Sequence, residues 1–198
     1  MAQKQSMKVL TSSLTNEWFT PPEYIEAARV VLGEIGYDPA SSDLAQKIVR
    51  ARYFSTLEND DPLDAVWGLG NIFLNPPYGK TGGKSNSEIW ARKLLTEYAL
   101  GHFEMGILLT KDALGYQWCD WLFHDVVPTA CITKDRIAFV KPEWVKEDGS
   151  IVYPKGQPKK SKTASIFWYI GEDDGKFTKV FSRFGRVIPG DCTHVDKL

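Results

Sequence analysis

Apolar positions along this chain follow two periods, and the period changes where the elements change. Tyr24, Ile25, Ala28, Val31 and Leu32 recur at helical spacing, which predicts a helix packed on a sheet. Thr20-Pro21-Pro22-Glu23 ahead of it reads as a capping box, with a hydroxyl at the N-cap, proline at the first helical position and glutamate three residues on. Gly33 and Gly36 bracket the exit, and Ile35-Gly36-Tyr37 reads as a short strand leading into Asp38-Pro39. A second helix is predicted from Asp43 to about Arg50, and a strand over 52–55. The run Asn71–Leu74 is a further strand, and Ser85-Asn86-Ser87-Glu88 a second capping box, opening a helix from Ser87 to about Ala99. Met105–Thr110 reads as a buried strand, and 116–123 as a helix with Trp118, Trp121 and Leu122 on one side. Beyond it, 130–132, 136–140, 165–170 and 177–184 all read as strands.

Strand and helix alternate early, and closely spaced strands follow. That order predicts an α/β fold: a mostly parallel sheet flanked by helices, with antiparallel strands at its end. Residues 1–15 lack periodicity and are expected to form a loose arm, leaving 16–198 as one domain with an irregular insertion near 141–162. Residues 56–70 read as a loop rich in acids, and 79–86 as a polar, glycine-containing loop long enough to be mobile. No internal repeat is present.

Composition narrows the classes. The chain has 198 residues, 43% hydrophobic and 25% charged, as expected of a globular protein with a substantial core. No run is apolar enough to span a bilayer, and Met1–Lys8 lacks a signal-peptide core. Cys119, Cys131 and Cys192 are odd in number and lack metal spacing, and three scattered histidines add no ligand set. No metal site and a reduced, cytoplasmic setting are therefore expected. Formal net charge is −1, so there is no global basic field to gather nucleic acid. A local basic face stays open at 155–162, where four lysines fall in eight residues; the segment reads equally as a solvated loop or as a phosphate-contacting one.

The chemistry concentrates at Asn75-Pro76-Pro77-Tyr78, directly behind the apolar strand. An exocyclic amine on a nucleobase is a poor nucleophile because its lone pair is delocalised into the ring. Acceptors on both N–H hydrogens shift density back to nitrogen. The Asn75 side-chain carbonyl can be one acceptor and the Pro76 main-chain carbonyl the other. Pro77 has no N–H and disfavours helical geometry at Pro76, which keeps the chain extended and its carbonyls free. Tyr78 offers a flat face on which a base can stack. The same residues also make a good turn, but such a string occurs by chance in fewer than about 1% of chains this long. Its place behind a strand is where open α/β sheets bind ligands.

Asn-Pro-Pro-Tyr is the signature of methyltransferases that use S-adenosylmethionine to modify amino groups. The chain resembles, more narrowly, the phage-type (Dam-like) DNA N6-adenine methyltransferases, which are Rossmann-like. The resemblance rests on Glu17-Trp18-Phe19-Thr20-Pro21-Pro22, Tyr37-Asp38-Pro39-Ala40-Ser41, Asp61-Pro62-Leu63 followed by Trp67, and Phe73 to Gly79, in that order. It covers about 16–140 well and the last third loosely. It implies S-adenosylmethionine as cofactor and a flipped adenine in DNA as substrate, methylated by in-line transfer without a covalent enzyme intermediate. It also implies that Thr20-Pro21 meets the methionine carboxylate at a helix N-terminus. Asp38, with Pro39 and Ala40, falls at the first cofactor loop, where a carboxylate can hold the ammonium. Asp61 falls where it can accept from the cofactor's adenine amine, with Asp60 and Asp64 as rivals. The glycine-rich form of the first cofactor loop is missing here.

Each assignment has a plainer counterpart. Thr20 can simply cap its helix, Asp38 can cap the next one, and Trp18 and Phe19 can be core. Cys119 and His124 have no partner pattern for nucleophilic chemistry and are expected to be buried. Methylation of an RNA base or a protein glutamine, or a catalytically silent nucleic-acid-binding module, are the competing functions. Only 79–86 and 141–162 offer room for sequence recognition. That leaves relaxed specificity, or a homodimer, open.

Overall fold

The structure, a computed structural model, describes residues 18–56, 61–111 and 113–190; the expected arm at 1–15, Asp60 and Cys192 lie outside them. In chain order the elements begin with α1 (Pro22–Leu32), β1 (Tyr37–Ser41), α2 (Asp43–Val49), β2 (Tyr53–Thr56) and β3 (Ile72–Leu74). A hairpin of β4 (Lys80–Thr81) and β5 (Lys84–Ser85) leads into α3 (Asn86–Ala99), followed by β6 (Gly106–Lys111) and α4 (Gln117–Trp121), which runs on as a π-helical turn over Leu122–Val126. β7 (Thr129–Thr133), β8 (Ser165–Ile170), α5 (Gly175–Phe181) and β9 (Gly185–Ile188) complete the fold.

Seven strands form one sheet in the order β2-β1-β3-β6-β8-β7-β9. β2, β1, β3 and β6 are parallel, β8 runs antiparallel to β6 and β7, and β9 runs antiparallel to β7. The predicted α/β class, a parallel core with antiparallel strands at one end, is what forms. Period-two alternation divides the core. Phe73, Ile107, Leu109, Cys131, Phe167 and Tyr169 pack under α1, α2 and α5. Ile72, Leu74, Leu108, Ala130, Ile166 and Trp168 pack under α3 and α4. The crossover from β1 to β2 thus lies on one face and that from β3 to β6 on the other. Strand order reverses between β1 and β3, and their carboxyl ends flank the crevice where such sheets bind ligands.

Several expectations are corrected. Residues 177–184 are not a strand: Phe177 and Phe181 lie on α5, with Phe184 just beyond. Phe177, Val180, Phe181 and Phe184 have helical spacing, and their β-favouring residue types obscured it. Residues 136–140 also fail to join the sheet. Ile137, Phe139 and Val140 are buried, but Val140 pairs with Phe19 through bonds of 2.8 and 2.9 Å, and the Ile137 carbonyl accepts from Ser161 N. Residues 79–86 form an ordered hairpin, with Gly82 and Gly83 at φ +58° and +81°, the left-handed pair that a two-residue turn needs. Neither capping box forms. Pro21 precedes a proline, is driven to extended geometry (ψ 148°), and becomes the N-cap itself, so Thr20 sits one residue too early. Ser85 is committed to β5 and makes no side-chain cap. Ser42 is the side-chain cap that does form, accepting from Ala45 N at 3.3 Å. The predicted strand at 35–37 shifts to 37–41, with Pro39 in an irregularity of the β1–β2 register, where a missing N–H costs nothing. His124 is exposed, whereas Cys119 is buried as expected.

The acidic loop is tied down by Trp67, which is fully buried. Its indole donates to the Pro62 carbonyl at 2.7 Å and its main-chain N–H donates to Glu97 at 2.8 Å. Where the loop re-enters the sheet it passes Gly36 so closely that a Cβ there would lie 2.7 Å from Gly70 Cα. Burial pushes the Glu97 carboxyl up, but bonds from Lys93, Trp67 N–H and His102 outweigh it and hold the group below its ordinary range. Because the folded value is the depressed one, this stabilisation is present above the unfolded pKa of about 4.3 and disappears as pH falls through the folded value. Glu97→Ala orphans a buried N–H and should cost about 2–4 kcal/mol at pH 7 in urea unfolding. The gap from native should narrow below pH 4.

Candidate active site

β3 delivers Asn75 to the rim of the crevice. The Asn75 amide nitrogen donates to the main-chain carbonyl of Trp18 at 3.2 Å. A carbonyl can only accept, so this bond fixes which end of the amide is which and leaves Oδ1 as an acceptor. Oδ1 takes a long, 3.4 Å bond from the Tyr78 hydroxyl. Pro76 is buried, and its carbonyl has no hydrogen-bond partner among the described residues. Pro77 carries the extended turn onward. Asn75 and Tyr78 are half-buried, and a cavity of about 630 Å³ opens beside Tyr78. Tyr78 lines that cavity, whereas Pro76 is covered.

Tyr78 differs from expectation in one respect. Its ring meets Phe139 edge-on at 6.2 Å, and the Lys111 ammonium sits over the ring, 4.0 Å from its centroid. The stacking face is covered by a cation. Burial raises the Tyr78 hydroxyl pKa well above the ordinary range and lowers that of Lys111.

Trp18 is half-buried, with Lys141 over its ring at 5.4 Å. Two residues on, Thr20 is buried, and its hydroxyl has no hydrogen-bond partner among the described residues. Pro21 then begins α1. On β1, Asp38 is buried with its carboxylate accepting from Gln46 Nε2 at 3.0 Å and Ala40 N at 3.4 Å. Gln46 also donates to Ser41 Oγ at 2.7 Å. Burial pushes the Asp38 carboxyl up to about 6, against the opposing bonds from Ser41, Ala40 and Gln46. No basic side chain pairs with Asp38 among the described residues. Tyr37 lies opposite Ile72 in the parallel β1–β3 pair, so Asp38, Pro39 and Ala40 rise beside the strand that ends in Asn75.

The fold thus brings Trp18, Thr20, Pro21, Asp38, Pro39, Ala40 and the 75–78 segment to one end of the sheet. Asp61 is different. It is exposed, and its carboxylate accepts from Leu63 N at 3.3 Å within its own loop. Three further residues escaped the sequence reading: Lys111, Gln46 and Phe139. Lys111 ends a strand as lysines often do, Gln46 lies eight residues from the acid it supports, and Phe139 sat in a segment read as sheet. None carried a local signal. Among the described residues no group of three metal-ligating side chains occurs, and no helix is long and apolar enough to cross a membrane.

Residues 8–156 match the family model described as DNA N-6-adenine-methyltransferase (Dam), about three-quarters of the chain. No curated protein and no solved structure matches.

An unpaired buried carboxylate has a measurable cost. The folded pKa of Asp38, about 6, lies above the unfolded value of about 3.9, so the native state holds this proton more tightly. Native stability therefore falls, relative to Asp38→Asn, as pH rises through that interval. Between pH 4.5 and 7.5 the difference should shift by about 2 kcal/mol in favour of the variant, in paired urea titrations of ligand-free protein. A shift of the opposite sign would show that Asp38 has a cationic partner.

Proposed function

The chain belongs to the DNA N-6-adenine-methyltransferase (Dam) family, and on that premise we propose that Asn75, Pro76, Pro77 and Tyr78 present the adenine amine for methylation. Enzymes of this family depend on S-adenosylmethionine. The residues present suit that cofactor. Asp38, buried and without a basic partner, suits its ammonium, and the unpartnered Thr20 hydroxyl ahead of α1 suits its carboxylate. Trp18, Pro21, Pro39 and Ala40 would wall the pocket, and Asp61 would accept from the cofactor's adenine amine after a change in its loop. When bound, the cofactor supplies an electrophilic methyl group on a sulfonium.

The chain's own part is orientation and electrostatics. Target adenine must leave the duplex, because its amine cannot otherwise reach the crevice. Asn75 Oδ1 and the Pro76 carbonyl each accept one N–H of the amine, which restores density to nitrogen and aims its lone pair. Tyr78 stacks on the base, worth about 1–3 kcal/mol. Both acceptors are held in place before the base arrives, so little reorganisation is needed as charge develops. The amine nitrogen so held would take the methyl carbon as the carbon–sulfur bond breaks with its electron pair left on sulfur as a neutral thioether, and would then release one proton to water; no general base is required. The observation that carries this reading is the bond from Asn75 Nδ2 to the Trp18 carbonyl, which leaves the amide oxygen as the acceptor.

The lysine loop supports a DNA-facing role as well. Lys155, Lys159 and Lys162 are exposed, and Ser161 N binds the Ile137 carbonyl at 2.8 Å, two residues before the Phe139 that touches Tyr78. The loop is thereby moored beside the catalytic segment. Lys160 is engaged by Asp135 at 3.1 Å.

Asn75→Ala should reduce methyl transfer into plasmid DNA by about 10²–10³-fold, while calorimetry finds cofactor affinity within a few-fold of native. Native-rate transfer by this variant would remove Asn75 from the mechanism. Replacing Lys155, Lys159 and Lys162 together by glutamine should flatten the dependence of log DNA affinity on log salt, by about 0.9 for every phosphate that the loop neutralises in the native protein. An unaltered slope would return the loop to a solvated role.

A further inference from the structure

β3 pairs with β6 in register, Leu74 opposite Leu108, and β6 continues three residues further to Lys111. Its end therefore rises alongside the Asn75–Pro77 turn. Alternation puts residue 111 on the sheet face of Ile107 and Leu109, the face on which Tyr78 packs. Lys111 reaches Tyr78 for this reason, and its ammonium rests 4.0 Å from the ring centroid. The cavity beyond is lined also by Lys80, Lys84 and Glu88. Glu88 is the one carboxylate among its lining residues, and it is taken by Arg92 at 3.1 Å. Lys111, Lys80 and Lys84 have no ion-pair partner among the described residues. Three cations share an aromatic-walled cavity, and among the described residues that line it no carboxylate is free to meet them.

Resting on the reading of Tyr78 as the base-stacking residue, we propose that Lys111 is a positioning residue that occupies the stacking face in the free enzyme and moves onto a DNA phosphate when the base enters. A cation over a tyrosine and a base stacked on it are attractions of similar size, so one can replace the other at little net cost. Until then the ammonium keeps the ring turned toward the cavity. A flipped nucleotide brings its own phosphates with it, and these are anions that the described lining of the lysine-bearing cavity does not supply. Lys80 and Lys84, on the hairpin behind Tyr78, form the rest of the phosphate cradle.

Two measurements test the exchange. In free protein carrying ¹³Cε-lysine, the Lys111 signal, identified by its absence from Lys111→Gln, should be shifted upfield by the Tyr78 ring current. The shift should vanish in Tyr78→Leu. It should also be lost on adding S-adenosylhomocysteine and a short duplex containing an adenine that the native enzyme methylates. An upfield signal that persists in that complex, or none in the free protein, overturns the proposal. For methylation of plasmid DNA, Lys111→Gln should raise KM several-fold and flatten its salt dependence by about 0.9, with kcat within about threefold and the slope restored in Lys111→Arg. An unchanged slope rejects the phosphate contact. Methyl transfer to DNA by the native enzyme is read in the same assays, so a failure of the stationed lysine is distinguished from a failure of the functional reading.

Discussion

The parallel pairing of β1 with β3 is the constraint on which the site depends. These neighbours send their chains to opposite faces of the sheet, through α2 after β1 and through the hairpin and α3 after β3. The chain therefore parts at their carboxyl ends. Asp38 lies near one end and Asn75 at the other, thirty-seven positions apart in sequence but on adjacent strands. The N-terminal segment closes the third side. Phe19 pairs with Val140 through two main-chain bonds, which brings the Trp18 carbonyl to the Asn75 amide and Thr20 to the start of α1. A slip of one residue in β3 would turn Phe73 and Leu74 to the wrong faces, so the buried pattern that stabilises the strand also places the asparagine.

Two buried carboxylates illustrate how burial alone does not decide a role. Glu97 is surrounded by donors from Lys93, His102 and Trp67, which overcome its desolvation, and the result is a moored loop. Asp38 has only neutral donors, and desolvation prevails. One is internally complete, and the other has no cationic partner among the described residues. The same contrast separates hydroxyls at strand and helix ends: Ser42 is engaged in capping α2, whereas the Thr20 hydroxyl is buried without a partner. A buried polar group without a partner calls for an explanation, and at Thr20 the open crevice beside it is one.

Local pattern was a sound guide where one period dominated and burial was one-sided. α1 and its buried face, α3, and β3, β6 and β8 follow directly from apolar spacing. It misled where residue type and spacing disagreed. In 177–184 the aromatic and β-branched residues suggest a strand, but their i, i+3, i+4, i+7 spacing is helical and the packing follows the spacing. At 136–140 the side chains are buried as a strand's would be, yet β7, the strand just before it, is already paired on both edges by β8 and β9 and offers no hairpin partner. The capping errors have a different origin. A proline after Pro21 moves the start of α1 by one residue, and Ser85, though it stands at the N-cap of α3, is held in β5 and makes no side-chain cap, neither of which local cap statistics register. The Gly82-Gly83 turn, by contrast, carried a hairpin signal in plain view.

By itself the sequence determined the chemistry available: an amide, a proline carbonyl and an aromatic ring in fixed order behind a buried strand, and an acid behind another. The first three are covalent neighbours or nearly so, and chain connectivity alone keeps them together. Only the tertiary structure decided which way the Asn75 amide points, what surrounds Asp38 and what covers Tyr78. Each of these is settled by a group distant in sequence or on another element: the Trp18 carbonyl, the Gln46 amide and the Lys111 ammonium. Their contacts exist because strand register and chain crossing bring them within a few ångströms, and no local periodicity encodes that.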